Sequence, residues 1–411
     1  LRNIGLFHID TKGMLVFDRF ALLFMLVANL CTFAFFLLSS RDMEKVGLNY
    51  ADYFALIFFI LAGICIASSF KSLLMLFLGI EIISIPLYIL TGSDKRSLKG
   101  NEAALKYFLM GSFSTGIMLM GIAFLYGANG SFNTVVRYTD PNNVSVLVMA
   151  GLMLLLFALS FKASAAPFHF WTPDVYDGAP TVFTSFMATV VKAAFFVAFM
   201  RLFNDAFAPI QTHWKLLAAI IVAATLFIGN ITAVFQQSVK RMLAYSSISQ
   251  AGFMMLAVYA LNSDAKEGLI LYAAAYSCAT IGIFAVLAKM NDYTFEGFNG
   301  FARQQPLVAA TMVIFLLSLA GIPLTAGFLS KFYMLKATLG SGGLWLAIFA
   351  VLMAAVSVYY YFRLIQAMYF REGNSQAVVL APAFRYTLVG LAAVTVLLGL
   401  FPNLLTYWLY F

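Results

Sequence analysis

The chain has 411 residues, of which 63% are hydrophobic and only 10% charged, against roughly 45–50% apolar and about 25% charged in a soluble domain. That composition excludes a soluble enzyme, a disordered chain, a disulfide scaffold and a direct nucleic-acid reader, and leaves a polytopic membrane protein. The 25 basic against 17 acidic residues give a net charge of +8, read here as loop Lys and Arg that set membrane orientation.

One crossing needs about 20 apolar residues, and the apolar runs come at near-regular intervals. They predict an all-α bundle of about twelve spans, at 17–38, 53–69, 72–91, 103–127, 145–171, 181–203, 214–236, 242–261, 267–290, 307–339, 344–370 and 384–409. The chain begins at Leu1 rather than Met, so its N-terminus is read as processed or incomplete, with no signal peptide before the first span. We treat 1–411 as a single transmembrane domain with approximate repeats at 53–203 and 214–370. Cys31, Cys65 and Cys278 lie inside apolar runs without CxxC or Cys/His spacing, and read as small buried hydrophobes.

The third span carries Glu81 about halfway along, with Ser84 and Tyr88 at i+3 and i+7 on its face. The fifth, 145–171, holds Lys162 and is broken around Ala165-Ala166-Pro167, with His169 just beyond. The sixth holds Lys192, preceded by Thr181, Ser185 and Thr189 at helical spacing. Further hydroxyl lines are Tyr245 and Ser249 on the eighth span, and Tyr272, Tyr276 and Thr280 on the ninth. The tenth, 307–339, is 33 residues long, about 50 Å as a straight helix against roughly 30 Å of hydrocarbon. It is interrupted at Ala320-Gly321-Ile322-Pro323 and Ala326-Gly327, and carries Lys331. Broken helices in a bilayer are tolerated where protein or a wet cavity satisfies the freed backbone. Two in corresponding positions point to inverted repeats, the alternative being a pair of ordinary Pro kinks.

Of the 17 acidic residues, 16 fall in loops or at span ends and Glu81 is the exception; of the 25 basic residues, 21 are in loops or near them, the other four being Lys162, Lys192, Lys331 and Arg363. A charge at the bilayer centre costs about 2.5–3.5 kcal/mol on insertion scales. These side chains must therefore face the bundle interior, with Arg363 able to snorkel toward the surface. Lysine is the informative choice, because a desolvated ammonium gives up its proton readily whereas Arg stays charged. One Glu cannot neutralise three lysines, which favours proton or cation transfer over static ion pairs. His169 is a candidate relay from Lys162, or a hydrogen-bonded structural residue beside a helix break. The hydroxyl lines either bond between helices or order waters. Asp174 and Asp177 fall in the following loop, where capping and loop geometry explain them. Loop basic residues divide twelve to nine between alternate connections; the larger set, with Lys99, Lys240 and Arg303, is expected on the cytoplasmic side.

The stretch Phe168-His169-Phe170-Trp171-Thr172-Pro173-Asp174-Val175-Tyr176 resembles the most recognisable motif of the antiporter-like membrane subunits of respiratory complex I, in the form found in subunit N. Three further stretches are similar to the same family: Phe77 to Leu87, Val239 to Ser249 and Leu319 to Tyr333. The resemblance implies roles by position. Glu81 matches the glutamate of the fifth family helix, Lys162 its partner on the broken seventh, Lys192 the central lysine of the eighth, and Lys331 the exit-side lysine of the broken twelfth. It also implies inverted repeats, a hydrated lateral axis, and fourteen helices where twelve are counted here. The expectation is a proton-translocating subunit of an NADH:quinone oxidoreductase in a bacterial inner membrane, beside K-like and M-like neighbours and lipid. No cofactor is expected in this chain; FMN, iron–sulfur clusters and quinone would belong to other subunits, and no metal or nucleic acid is expected. The alternatives are a subunit of a cation/proton antiporter or membrane hydrogenase, or a non-conducting scaffold.

Overall fold

The computed structural model describes residues 11–47, 50–134, 144–373 and 380–410. Among them the chain is helical, with isolated β-bridges alone outside the helices. The helices are α1 (Arg19–Met43), α2 (Tyr50–Ser69), α3 (Leu73–Thr91), α4 (Leu98–Asn129), α5 (Val146–Lys162), α6 (Trp171–Gly178), α7 (Thr181–Phe186), α8 (Lys192–Leu202), α9 (Gln211–Val234), α10 (Val239–Ala260), α11 (Ser263–Leu287), α12 (Phe301–Gln304), α13 (Pro306–Ala320), α14 (Ala326–Gly340), α15 (Leu344–Phe370), α16 (Pro382–Leu400) and α17 (Asn403–Thr406). By length and composition, eight helical runs among the described residues can cross a membrane, the 54-residue run Thr181–Val234 counting as one.

Short polar residues start these helices. Asp18 caps α1 by accepting from the Ala21 amide at 2.8 Å, Ser97 caps α4 and Asn262 caps α11, each satisfying one of the amides a helix start leaves free. α11 is buried along its whole apolar length and forms the axis of the bundle, with α1, α10, α13, α14 and α16 packed around it. α9 and α10 approach so closely that a Cβ on Gly229 would lie 2.5 Å from the Ser249 amide; glycine here lets two membrane helices touch backbone to backbone.

Both expected breaks are present, and the backbone accounting explains them. α5 ends at Lys162, and the chain resumes as α6 at Trp171. The Trp171 indole donates to the Phe161 carbonyl at 3.0 Å, and the Ala166 amide donates to Thr225 Oγ1 at 2.8 Å. α13 ends at Ala320 because Gly321 turns left-handed at φ 84°, a conformation glycine adopts without strain. The carbonyls freed there, Leu319 and Ala320, accept from Lys331 Nζ at 2.7 and 3.1 Å. Each broken helix thus recruits a side chain in place of an amide.

Surface charge divides cleanly. Ion pairs join Lys99 to Asp177, Lys106 and Arg241 to Asp174, and Arg303 to Glu372, all within the larger basic set. Arg201 pairs with Asp18 and Lys336 with Asp264, within the smaller set. The Glu81–Lys162 pair, by contrast, joins two residues from the middle of the bundle.

Candidate functional site

The first cluster forms where α3 and α4 meet the end of α5. Glu81 accepts from Thr115 Oγ1 at 2.7 Å and lies 3.5 Å from Lys162 Nζ. The ammonium donates to Ser84 Oγ at 2.9 Å, Tyr88 OH at 3.3 Å and Thr115 Oγ1 at 3.4 Å. Ser84 and Tyr88 share the Glu81 face, as their spacing requires. Thr115 belongs to α4 and was not singled out in the sequence; a hydroxyl in the middle of an apolar span was the available signal. Lys162 is therefore held by one carboxylate and three hydroxyls, groups that accept from an ammonium and also bond to a neutral amine.

Lys192 follows a wide π-turn, Met187–Val191, a feature concentrated at functional sites. The turn interrupts the register expected from Thr181 and Ser185, and Thr189 Oγ1 bonds back to the Ser185 carbonyl at 2.7 Å. Lys192 is buried, and donates to Ser247 Oγ at 2.8 Å and the Ser247 carbonyl at 3.1 Å. Its amine lies 5.3 Å from the Tyr176 ring centre. The Tyr176 hydroxyl faces Ser164, at the break after Lys162, as well as Ser247. The Tyr276 hydroxyl also faces Ser247, together with Thr280, without closing a hydrogen bond to either.

Lys331 is buried too, bound to the two carbonyls of the α13 break and 4.6 Å from the Phe253 ring centre. Among the described residues neither Lys192 nor Lys331 has a carboxylate partner. Buried polar groups are ordinarily hydrogen-bonded, yet Ser164, Ser185, Ser249, Tyr276 and Thr280 keep hydroxyls without protein partners. Two of them lie at the lysine sites, Ser164 at the break after Lys162 and Tyr276 in the lining shared with Lys331, which fits an interior that holds water.

Other polar and charged groups lie outside these hydrogen-bond clusters. His169 is buried in the first break, its ring stacked on Phe170 at 4.8 Å with Nδ1 unpartnered, and it makes no hydrogen bond to Lys162. Arg363 reaches the α9–α10 connection, donating to the Gln236 carbonyl at 2.9 Å and to Gln237 at 2.7 Å. Asp174 and Asp177 lie on α6 rather than in a loop, and their ion pairs, not capping, account for them. Lys240, placed in a connection by its sequence, is buried against the carbonyls of Asp177 and Ala179 at 3.0 and 2.7 Å. The thiols of Cys31 and Cys278, distant in sequence, meet between α1 and α11. Asp42 is buried at the end of α1, 2.7 Å from Lys289. Sequence position alone put Lys240 and Asp42 at span ends or in connections, where burial is not legible.

A bundle with two broken helices and three buried lysines, one of them beside a carboxylate, defines a class of membrane protein built to move charge. The family model described as NADH:quinone oxidoreductase/Mrp antiporter, transmembrane, matches residues 70–358, and the chain belongs to that family. NADH-quinone oxidoreductase subunit N of Cytophaga hutchinsonii is 42% identical over 400 residues, covering 96% of this chain and 87% of that protein. The subunit N of Trichlorobacter lovleyi is 38% identical, covering 95% and 82%. A chain of respiratory complex I from Thermus thermophilus with bound aureothin superposes with TM-score 0.84 at 35% identity, covering 95% of this chain and 86% of that one. A chain of the Mrp complex from Dietzia sp. has TM-score 0.85 at 21% identity, covering 96% and 82%, and shares the fold. The resemblance carried by four motifs thus extends over nearly the whole chain.

Proposed function

We propose that this chain is the N-type proton-translocating membrane subunit of a NADH:quinone oxidoreductase, set in a bacterial inner membrane between K-like and M-like neighbours. The observation that carries the reading is Lys192: a buried amine held by a hydroxyl and a carbonyl, with no carboxylate partner among the described residues. A static scaffold would neutralise such a charge or replace it with an apolar side chain, since unpaired buried charge is strongly destabilising. An amine that releases and regains a proton as water reaches it has a reason to be there.

In this reading the chain makes twelve crossings, with α5–α6 and α13–α14 as the broken members of two inverted repeats. Quinone reduction in other subunits shifts the charge near one end of a file of these lysines. That shift moves the balance between Glu81 and Lys162, and protons pass by Lys192 toward Lys331 and out. His169 assists transfer near the first break. The redox groups, FMN and iron–sulfur clusters, together with the quinone, are held by other subunits, so this chain contributes to the enzyme's turnover without transferring electrons.

The test is Lys162→Met in the native host, with assembly checked on native gels. Quinone-linked NADH oxidation and proton uptake by inverted membrane vesicles should fall together while the complex stays intact. Wild-type values of both would set the reading aside for a scaffold.

A further inference from the structure

Gln250 lies one turn beyond Ser247 on α10 and is fully buried. Its side chain ties α10 to three other helices. Oε1 accepts from the Tyr272 hydroxyl on α11, while Nε2 donates to the Leu319 carbonyl at the α13 break, 3.0 Å, and to Tyr361 OH on α15, 3.0 Å. A primary amide has two N–H donors and one carbonyl oxygen, so nearly all of its bonding capacity is committed. The Leu319 carbonyl also receives Lys331 Nζ at 2.7 Å. Gln250 and Lys331 therefore share one acceptor that only the helix break makes available.

Beside this shared carbonyl is a cavity of about 10 Å3 whose polar walls are Gln250, Tyr272, Tyr276, Ser318, Ser330 and Lys331. That is about the space one water needs, and the walls offer the two to four polar partners a buried water requires. The Tyr276 hydroxyl, one of those walls, has no protein partner of its own and faces Ser247, the residue that holds Lys192.

Resting on the proton-transfer reading above, the geometry points to Gln250 as the positioning residue of the connection between Lys192 and Lys331. It fixes the Tyr272 hydroxyl and the Leu319 carbonyl so that one water in the cavity joins Tyr276 to the Lys331 amine. A proton leaving the Lys192 ammonium then moves, once the Ser247 hydroxyl turns from the Ala244 carbonyl toward Tyr276, by way of the Ser247 hydroxyl, the Tyr276 hydroxyl and the water to neutral Lys331. At each oxygen one O–H bond forms as another breaks, so the intermediates end with the protons they began with. Gln250 neither gains nor loses a proton. Its work is to occupy two groups that would otherwise draw the water away from that line.

The experiment uses the intact complex in native membranes, comparing Gln250→Leu, Gln250→Glu and Lys331→Met with wild type, each with assembly confirmed on native gels. Gln250→Leu should lower quinone-linked turnover and proton uptake together by roughly tenfold, the effect of leaving buried partners unpaired. Gln250→Glu is isosteric and supplies a signature that packing does not. The groups facing it are Tyr272 and Tyr276 from α11, Tyr361 from α15 and Lys331 from α14, with α13 offering carbonyls and Ser318. Only its acid form donates to the Leu319 carbonyl, and its ionised form captures Lys331. The activity of Gln250→Glu relative to wild type should therefore rise as pH falls.

Wild-type turnover and uptake in assembled Gln250→Leu, or a Gln250→Glu profile parallel to wild type, would overturn the assignment. If Gln250→Leu fails to assemble, the isosteric variant's pH profile decides. Lys331→Met separates the two levels of the argument. Loss of activity there, with Gln250→Leu intact, removes Gln250 alone; wild-type activity in Lys331→Met removes the proton-transfer reading with it.

Discussion

Replacing Glu81 with Gln removes one charge and almost nothing else. The Gln oxygen can still accept from Thr115 Oγ1, now 2.7 Å from the carboxylate, and the side-chain volume is kept. What is lost is the attraction between a carboxylate and an ammonium 3.5 Å apart, about 5 kcal/mol at an effective dielectric of about 20. The Glu81 side chain is 18% exposed and that of Lys162 4%, so screening trims this figure without abolishing it. If only a third survives, the equilibrium between the charged and neutral pair still moves by about tenfold. Turnover and proton uptake in inverted vesicles should therefore fall together by about tenfold or more in Glu81→Gln, while Glu81→Asp, which keeps the charge, retains part of both. Assembled Glu81→Gln with wild-type turnover and uptake would refute the claim that this pair couples charge to transport.

Two further predictions concern the frame that holds the site. Asp42→Asn leaves Lys289 beside α1 without its carboxylate, now 2.7 Å away with Asp42 only 2% exposed; breaking such a pair costs about 3–5 kcal/mol. The extracted complex should lose thermal stability while activity per intact complex is kept, and an unchanged melting profile would contradict the reading. In Gly327→Ala the new Cβ would lie 1.8 Å from the Ser318 carbonyl oxygen, whereas a Cβ on Gly116 meets nothing within 4 Å. Native gels should show loss of the complex in the first variant and normal amounts in Gly116→Ala; equal amounts would mean that the α13–α14 break is free to spread.

The helices were legible in the sequence because apolar runs of membrane length have few other uses. Both breaks were legible as well, since 307–339 is too long for one crossing and Gly321 and Pro323 interrupt it. Insertion cost alone singled out Glu81, Lys162, Lys192 and Lys331, and the helical spacing of Ser84 and Tyr88 put them beside Glu81. Thr115, Ser247 and Gln250 were not legible, because they act across helices and a single sequence carries no register between α4 and α3, or between α10 and α13. Lys240 and Asp42 were missed for a related reason. A charge at the end of a span reads as solvated, and only tertiary packing shows that α6 and α11 cover it. The π-turn before Lys192 defeated the spacing argument for its hydroxyls, since a regular period assumes a regular helix.

The most direct test of the central claim, that protons travel through this chain by its buried lysines, is the proton-to-electron ratio of the complex carrying Lys192→Met. Proton uptake into sealed inverted vesicles would be followed against NADH oxidised, at equal amounts of assembled complex. The account predicts that uptake collapses, with NADH oxidation falling alongside it or running on uncoupled. Wild-type oxidation at an unchanged ratio would contradict it.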